Sequence, residues 1–222
     1  VEIYQLRNLF ITGCGDGLGK TLLETSNQYD CNVFPHYRQP KNDISGDIND
    51  RDLLEKLPSF LRKNSIDVFI NNAAIYQKNS LVDSTDQEIE NIINTNLISQ
   101  ILITKRVYSF FKEHGCGLII NINSLSGKIP STNESIYSAS KSGMYSFSKS
   151  LQLESINTNI EIVDIFPGAM KTKMAKGRDN YDALIDTKDV SKIVFDIIFK
   201  HTNLYTNEIV IRKKKKNKKS GD

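Results

Sequence analysis

Residues 9–19 read Leu9-Phe10-Ile11-Thr12-Gly13-Cys14-Gly15-Asp16-Gly17-Leu18-Gly19. Leu9 to Thr12 is a mostly apolar run of strand length, and Lys20 to Tyr29 carries Leu22, Leu23 and Ser26 at helix-compatible spacing. The glycines between them allow a sharp turn and a close approach of the backbone to a ligand. A strand, a glycine turn and a helix N-terminus together form an anion site, because the unpaired amides of the first helical turn point at whatever is bound there. Many tight strand-to-helix turns share this look, so the stretch needs company before it implies a dinucleotide.

Working outward, strands alternate with helices and no repeat or linker interrupts them. Cys31 to Tyr37 is a second strand, with Pro35 tolerable at its end. A short polar piece, Gln39 to Asp43, leads to a third extended segment, Ile44 to Ile48. Asp50 can cap a helix to about Lys63 whose Leu53, Leu54, Leu57, Phe60 and Leu61 form one stripe. Asp67 to Ile70 is a fourth strand, delivering Asn71 and Asn72 at its carboxyl end. A long helix from about Thr85 to Lys112 has Asn96 interrupting its apolar side. Leu118 to Asn123 and Ile160 to Phe166 are the fifth and sixth strands, releasing Ser124 and Pro167-Gly168. A helix from Tyr137 to Ile156 lies between them, another runs from Thr187 to about Lys200, and Glu208 to Ile211 is a last strand. The fold class is therefore α/β, a doubly wound parallel sheet of about seven strands in a single domain, residues 1–211. The singled-out groups stand at strand ends, on the edge where such sheets bind ligands.

The second decisive stretch is Ser124 to Lys141, SLSGKIPSTNESIYSASK. Tyr137 and Lys141 are one helical turn apart on one face. A tyrosine titrates near ~10 in model peptides, and a fixed cation beside it favours the phenolate and brings it toward useful acid/base work. Ser124 can hold a carbonyl or alcohol oxygen beside that phenol.

Taken in order, TGxxxGxG from Thr12 to Gly19, Asn71-Asn72-Ala73-Ala74, Asn96, Ser124, YxxxK at Tyr137 and Lys141, and Pro167-Gly168 resemble the short-chain dehydrogenase/reductase family. The likeness runs from about Arg7 to Ile211. It implies a Rossmann fold and hydride transfer between a nicotinamide cofactor and a carbonyl or secondary alcohol. Tyr137 is then the acid/base, Lys141 its electrostatic partner and a ligand of the nicotinamide ribose, and Ser124 the group that orients the substrate oxygen. Asn96 belongs to a water-mediated proton relay from the lysine. The cofactor contacts implied are Thr12, Gly13, Gly15, Asp16, Gly17, Leu18, Gly19, Arg38, Asp47, Ile48, Asn72, Ala73, Tyr137, Lys141, Pro167, Gly168, Met170 and Thr172. Asp47 matches the position that contacts adenine, and Thr172 holds the carboxamide. Most members place a helix between strands two and three; here that crossover is shortened or absent.

NAD-selective members usually present an acid at the end of strand two, where this chain has Tyr37 followed by Arg38. An arginine can pair with a 2′-phosphate, so NADP(H) is preferred, with NAD(H) possible; Asp16 in the glycine turn argues the other way. The family's paired long helices imply a homodimer or homotetramer.

Composition bounds the rest. At 222 residues and 39% apolar content, one domain with a substantial core is the expectation. Without a spanning run or a leader pattern, a cytoplasmic location is expected. Cys14, Cys31 and Cys116 are in no metal spacing, so reduced thiols and no metal site are expected, Cys14 being either a space-filler or a thiolate beside a helix N-terminus. Seven of the 29 Lys/Arg fall between Arg212 and Lys219 and one of the 26 acids is Asp222, leaving 22 basic and 25 acidic side chains before residue 212. Basicity therefore belongs to the lysine-rich tail, 212–222, which is expected to be disordered, and nucleic acid is not an expected partner. A sugar-nucleotide epimerase or dehydratase and a non-catalytic dinucleotide-binding regulator are the alternatives. The first usually carries a longer C-terminal substrate region, and the intact Asn96, Ser124, Tyr137 and Lys141 set argues against the second. The segment Lys173 to Asp186 is the expected substrate lid, with Met174, Tyr181 and Leu184 its apolar contributors.

Overall fold

The computed structural model describes residues 7–176, 181–199 and 205–214. Six strands, β1 (Arg7–Ile11), β2 (Cys31–Pro35), β3 (Val68–Asn71), β4 (Cys116–Ile122), β5 (Asn159–Pro167) and β6 (Glu208–Ile211), form one parallel sheet in the order β2-β1-β3-β4-β5-β6. Helices α1 (Gly17–Ser26), α2 (Arg51–Lys63), α3 (Asp86–Ile93), α4 (Ser99–His114), α5 (Ser135–Glu154) and α6 (Thr187–Phe199) flank it.

Strand side chains alternate between two cores, as the period of two requires. Phe10, Phe69, Ile119 and Ile162 face α2, α4 and α5, where they meet Leu54, Leu57, Val107, Phe111 and Leu151. Leu9, Ile11, Val68, Ile70, Ile120 and Val163 face α1 and α6, against Leu18, Leu22, Val194 and Phe195. From β1 the chain runs to β2 on one side and, through β3, to the remaining strands on the other, so the switch point of the sheet lies at the carboxyl ends of β1 and β3.

The expected strand from Ile44 to Ile48 does not form, and the sheet has six strands among the described residues rather than about seven. Asn42 is the reason. Its side-chain amide donates to the Pro35 carbonyl at 2.7 Å, its Oδ1 accepts from Ile44 N and Ser45 Oγ, and Gly46 N donates to Tyr37 O. These local bonds occupy the end of β2 and curl the chain, while Ile44 and Ile48 are buried in the core over α2. β2 is thereby an edge strand, kept short and ending in a proline that has no N–H to offer a neighbour.

The expected single helix over 85–112 is interrupted by a π-helical turn, Asn94–Ile98, between α3 and α4. Thr85 and Glu88 form a reciprocal capping box at its start. Pro58 lies inside α2 and cannot donate to the Leu54 carbonyl; Arg106 of α4 does so instead, Nε to O at 2.7 Å. In the basic C-terminal stretch only residues 212–214 are described, and there Lys213 Nζ donates to Leu184 O at 2.8 Å. Among the described residues no helix is long and apolar enough to cross a membrane.

Candidate active site

The glycine turn is locked to β3. Thr12 Oγ1 accepts from Asn72 N (3.0 Å) and Ala73 N (3.1 Å), and the Asn72 side chain donates to Thr12 O (2.8 Å) and Gly13 O (3.3 Å). Asn72 and Thr12 therefore buttress the turn from below. A Cβ at Gly19 would lie 2.2 Å from the Gly13 carbonyl oxygen, so this glycine lets α1 pack against the turn itself. Gly13 adopts φ +74°, and a Cβ there would also press on Ala73. Gly15 has open space on its Cβ side, and the first turn of α1 holds no acidic side chain, which suits the N-terminus of this helix to an anion.

Asp16 precedes α1 without capping it, and its carboxylate pairs with Lys173 Nζ at 3.2 Å. Slight burial raises the Asp16 pKa, yet the Gly17 amide with Lys173 and Lys20 outweighs that and holds the carboxyl below its usual range. The negative charge that counted against a phosphorylated cofactor is thus matched by a cation. At the end of β2, Arg38 Nε lies 3.4 Å from Asp47 Oδ2, with the arginine side chain largely exposed, and Lys41 sits over the Tyr37 ring at 4.4 Å. Ile48 is buried in the core. Burial pushes the Cys14 thiol up to about 12 over the opposing His36 backbone bond, so Cys14 is a space-filler.

Tyr137 and Lys141 lie one turn apart in α5. Lys141 is fully enclosed, its Nζ donating to the Ile122 carbonyl at 3.2 Å; burial pushes its pKa down to about 8 against the opposing attraction of Asp164. Ser124, released at the end of β4, accepts from Ser126 N through its Oγ at 3.1 Å and lines a cleft of about 260 Å³ together with Tyr137. Pro167, Gly168, Met170, Thr172 and Met174 supply the opposite wall, whereas Leu184 is buried. Met170 is held there by a bridge to Ile185.

Asn96 occupies the π turn, fully buried. Its side chain accepts from Ile75 N and donates to Ile75 O, both at 2.8 Å, and reaches Ser140 Oγ at 3.3 Å. Gln100 spans the Ala73 and Thr95 carbonyls. The side-chain amide of Asn96 thus ties the loop after β3 to the turn of α5 that carries Lys141.

Three further side chains stand at this edge that the motifs do not include. His36 accepts from Gly13 N through Nδ1 and reaches Gly46 O through Nε2, bracing the glycine turn from the β2 side. Burial lowers its pKa despite Gly46 and Asp47, consistent with a neutral ring that donates from Nε2. Tyr76 meets Tyr137 edge-on with centroids 5.0 Å apart. Glu134, three residues before Tyr137, accepts from Tyr76 and Ser126 in the cleft wall. The proximity of Glu134 to YxxxK was the available signal for it; Tyr76 and His36 had none.

A parallel doubly wound sheet with a glycine turn at its switch point, and a cleft tyrosine one helical turn from a buried lysine on the same edge, defines a dinucleotide-dependent oxidoreductase architecture. Residues 7–182 match the family described as short chain dehydrogenase. A 3-oxoacyl-[acyl-carrier-protein] reductase FabG of Buchnera aphidicola subsp. Schizaphis graminum is 33% identical over 204 residues, covering 85% of this chain and 82% of the relative. Another, from Buchnera aphidicola subsp. Baizongia pistaciae, is 29% identical over 90% of this chain and 93% of its own length. The crystal structure of a 3-ketoacyl-(acyl-carrier-protein) reductase from Brucella melitensis complexed with NADH has the same fold, with a TM-score of 0.82 at 21% identity over 92% of this chain and 96% of that one. This chain belongs to the short-chain dehydrogenase family and is an NAD(P)-dependent oxidoreductase.

Across the sheet, Asn71, Asn121, Asp164 and Glu208 stand side by side in register on β3, β4, β5 and β6. Asp164 is fully buried; burial raises its pKa to about 7, more than Ser148, Lys149 and Asn121 lower it. Between the ordinary value of 3.8 and about 7 the native state therefore keeps a proton that the unfolded chain has released, and stability falls as pH rises through that window. Asp164→Asn should remove most of this slope, on the order of 2–4 kcal/mol between pH 4 and 8. Urea unfolding of both proteins across that range measures it; identical slopes would contradict the assignment.

Proposed function

We propose that this protein reduces 3-oxoacyl thioesters at the ketone, with NADPH as the preferred reductant and NADH as a possible one. The observation that carries the reading is that Ser124 and Tyr137 line one cleft while Lys141 lies enclosed one turn behind the phenol. The thioester class is supported by the length and identity of the match to the 3-oxoacyl-[acyl-carrier-protein] reductases.

When bound, the nicotinamide supplies the hydride that adds to the ketone carbon. Ser124 orients the ketone oxygen, and Tyr137 gives that oxygen its phenolic proton as the C=O π electrons move onto it, leaving a secondary alcohol and a phenolate. Lys141 stabilises the phenolate and takes the nicotinamide ribose, and its enclosure from water strengthens the charge interaction. The phenolate regains its proton through a relay beside Lys141, where Asn96 fixes Ile75 and Ser140 in place. Gly13, Gly15, Gly17, Leu18 and Gly19 form the pyrophosphate cradle, and Thr172 with the backbone after Pro167 holds the carboxamide.

Tyr137→Phe should preserve folding and NADPH binding and lower turnover on the order of a hundredfold or more. Lys141→Ala should weaken turnover and cofactor binding together. Steady-state kinetics on a 3-oxo thioester, with cofactor titration by fluorescence, separates the two; parental turnover in Tyr137→Phe would refute the mechanism.

The NADPH preference rests on Arg38 and Lys41 flanking the end of β2 and on Lys173 offsetting Asp16. In Arg38→Ala the Kd for NADPH should rise several-fold more than that for NADH, as calorimetry would register. An unchanged ratio removes Arg38 from cofactor choice.

Ile98 at the start of α4 and Leu153 and Ile156 at the end of α5 are exposed apolar side chains. We read them as surface covered by a second copy in a homo-oligomer. Light scattering should give a multiple of the chain mass at micromolar concentration, and a monomer throughout would oppose the assignment.

A further inference from the structure

His36 is the residue after β2, 1% exposed, and its two ring nitrogens face groups of opposite kind. Nδ1 lies 3.4 Å from Gly13 N, which can only donate, and Nε2 lies 3.0 Å from Gly46 O, which can only accept. Both bonds form in one state of the ring alone, the neutral tautomer with its proton on Nε2. An imidazolium carries a proton on Nδ1 as well, and there it would point at the Gly13 N–H. Backbone bonds fix the residue in place, His36 N donating to Ile11 O at 2.8 Å and Cys14 N to His36 O at 2.9 Å. Anchored and enclosed in this way, the ring has little room to turn aside. It joins the glycine turn to the loop that carries Asp47, which Gly46 N closes by donating to Tyr37 O at 2.9 Å.

We infer that His36 is a positioning residue for the dinucleotide that works only as the neutral ring: protonation removes the partner of the Gly13 amide, and cofactor affinity falls with it. The inference rests on the dinucleotide dependence of the chain and is independent of which substrate is reduced. Gly13 adopts φ +74° and its carbonyl accepts from the Asn72 side chain, so this peptide is where the turn leaves the sheet. An unpartnered amide facing a cation there pushes the turn away from β2. The start of α1 follows, since Gly19 is seated against the Gly13 carbonyl with no room for a Cβ. The charged and titratable groups around the ring set where this happens. Burial lowers the His36 pKa below the ordinary 6.5, outweighing the Gly46 bond and the attraction of Asp47. Asp47 is itself 3.4 Å from Arg38, and Cys14, with its thiol pushed up to about 12, brings no charge. A cation near a pyrophosphate would by charge alone tighten binding at low pH, so the sign of the dependence separates the two effects.

The test titrates NADP+ into the intact chain by calorimetry from pH 8 to pH 5, in the parent and in His36→Asn. Asparagine sets its side-chain oxygen near the place of Nδ1, so it can accept from Gly13 N, and it does not titrate. The parent should bind up to about tenfold more weakly for each pH unit below the titration of its ring. His36→Asn should lose that slope while staying within a few-fold of parental affinity at pH 8. The 2′-phosphate titrates near ~6 with both proteins, so the difference between their slopes belongs to His36. Equal slopes, or a parent that binds more tightly as pH falls, overturn the proposal. Imidazole nitrogen NMR of the parent decides it without a variant: His36 should stand as the Nε2–H tautomer at pH 7, and NADP+ should lower its pKa. The Nδ1–H tautomer, or a pKa raised by NADP+, overturns it as well. Absence of NADP+ binding at pH 8 removes the cofactor reading itself, and this proposal with it.

Discussion

The carboxyl edge of this molecule depends on the four hydrogen bonds that join Thr12 and Gly13 to Asn72 and Ala73. β1 and β3 are adjacent in the sheet but far apart in sequence, and both end at the point where the chain parts company to left and right. Without those bonds the glycine turn would be a flexible loop whose amides faced many directions. With them, and with His36 bracing it from β2, the turn is held from both sides, and α1 can dock so closely that Gly19 has no room for a methyl group. An anion site made of backbone amides is only as good as the rigidity of the backbone that presents them.

The same economy explains the polar interior. Lys141 is enclosed one turn from the Tyr137 phenol, and enclosure works against its own charge, which burial holds below the ordinary lysine range. Asp164 in the core opposes part of the effect in its ionised form, and Ser148 and Gln152 donate to that acid. Asn71 and Asn121 continue the row toward β3, bonded to one another and to Thr104 and Ser148. Lys128 and Lys149 close it at the far edge on Glu208. Polar groups in such a row stabilise little on balance, since desolvation offsets most of what the bonds contribute. Their effect is to leave the sheet one register in which each finds its partners.

Asn96 shows how a distortion of a helix can serve a site. A regular helix from Thr85 onward would carry its side chains past Ile75; the π turn widens one round and lets the Asn96 amide meet both backbone groups of Ile75 at once. The Thr95 carbonyl accepts from the Gln100 side chain. The loop after β3, which carries Tyr76 into the cleft, is fixed by that pairing and by the bond from Tyr76 to Glu134. The cleft wall is thus held together by side chains from the loop after β3, the π turn and the residue before α5, which have no common stretch of sequence.

The alternation of short apolar strands with amphipathic helices, and the turn at residues 12–19, determined the parallel sheet and the edge at which its site lies, because both follow from local spacing and from the freedom of glycine. Tyr137 and Lys141 were legible for the same reason, four residues on a helix being one turn. What happens between residues 36 and 50 was not legible: Ile44 to Ile48 has the apolar content of a strand, and only the side chain of Asn42, reaching back to Pro35, turns it into a coil that buries the same isoleucines. The break in the helix at Asn96 and the pairing of Asp16 with Lys173 likewise join groups distant in the chain. The tertiary structure alone decided the character of the substrate cleft, for Glu134 reads in sequence as one more polar residue before a helix. In the folded chain it joins the cleft wall, where Tyr76 and Ser126 donate to its carboxylate.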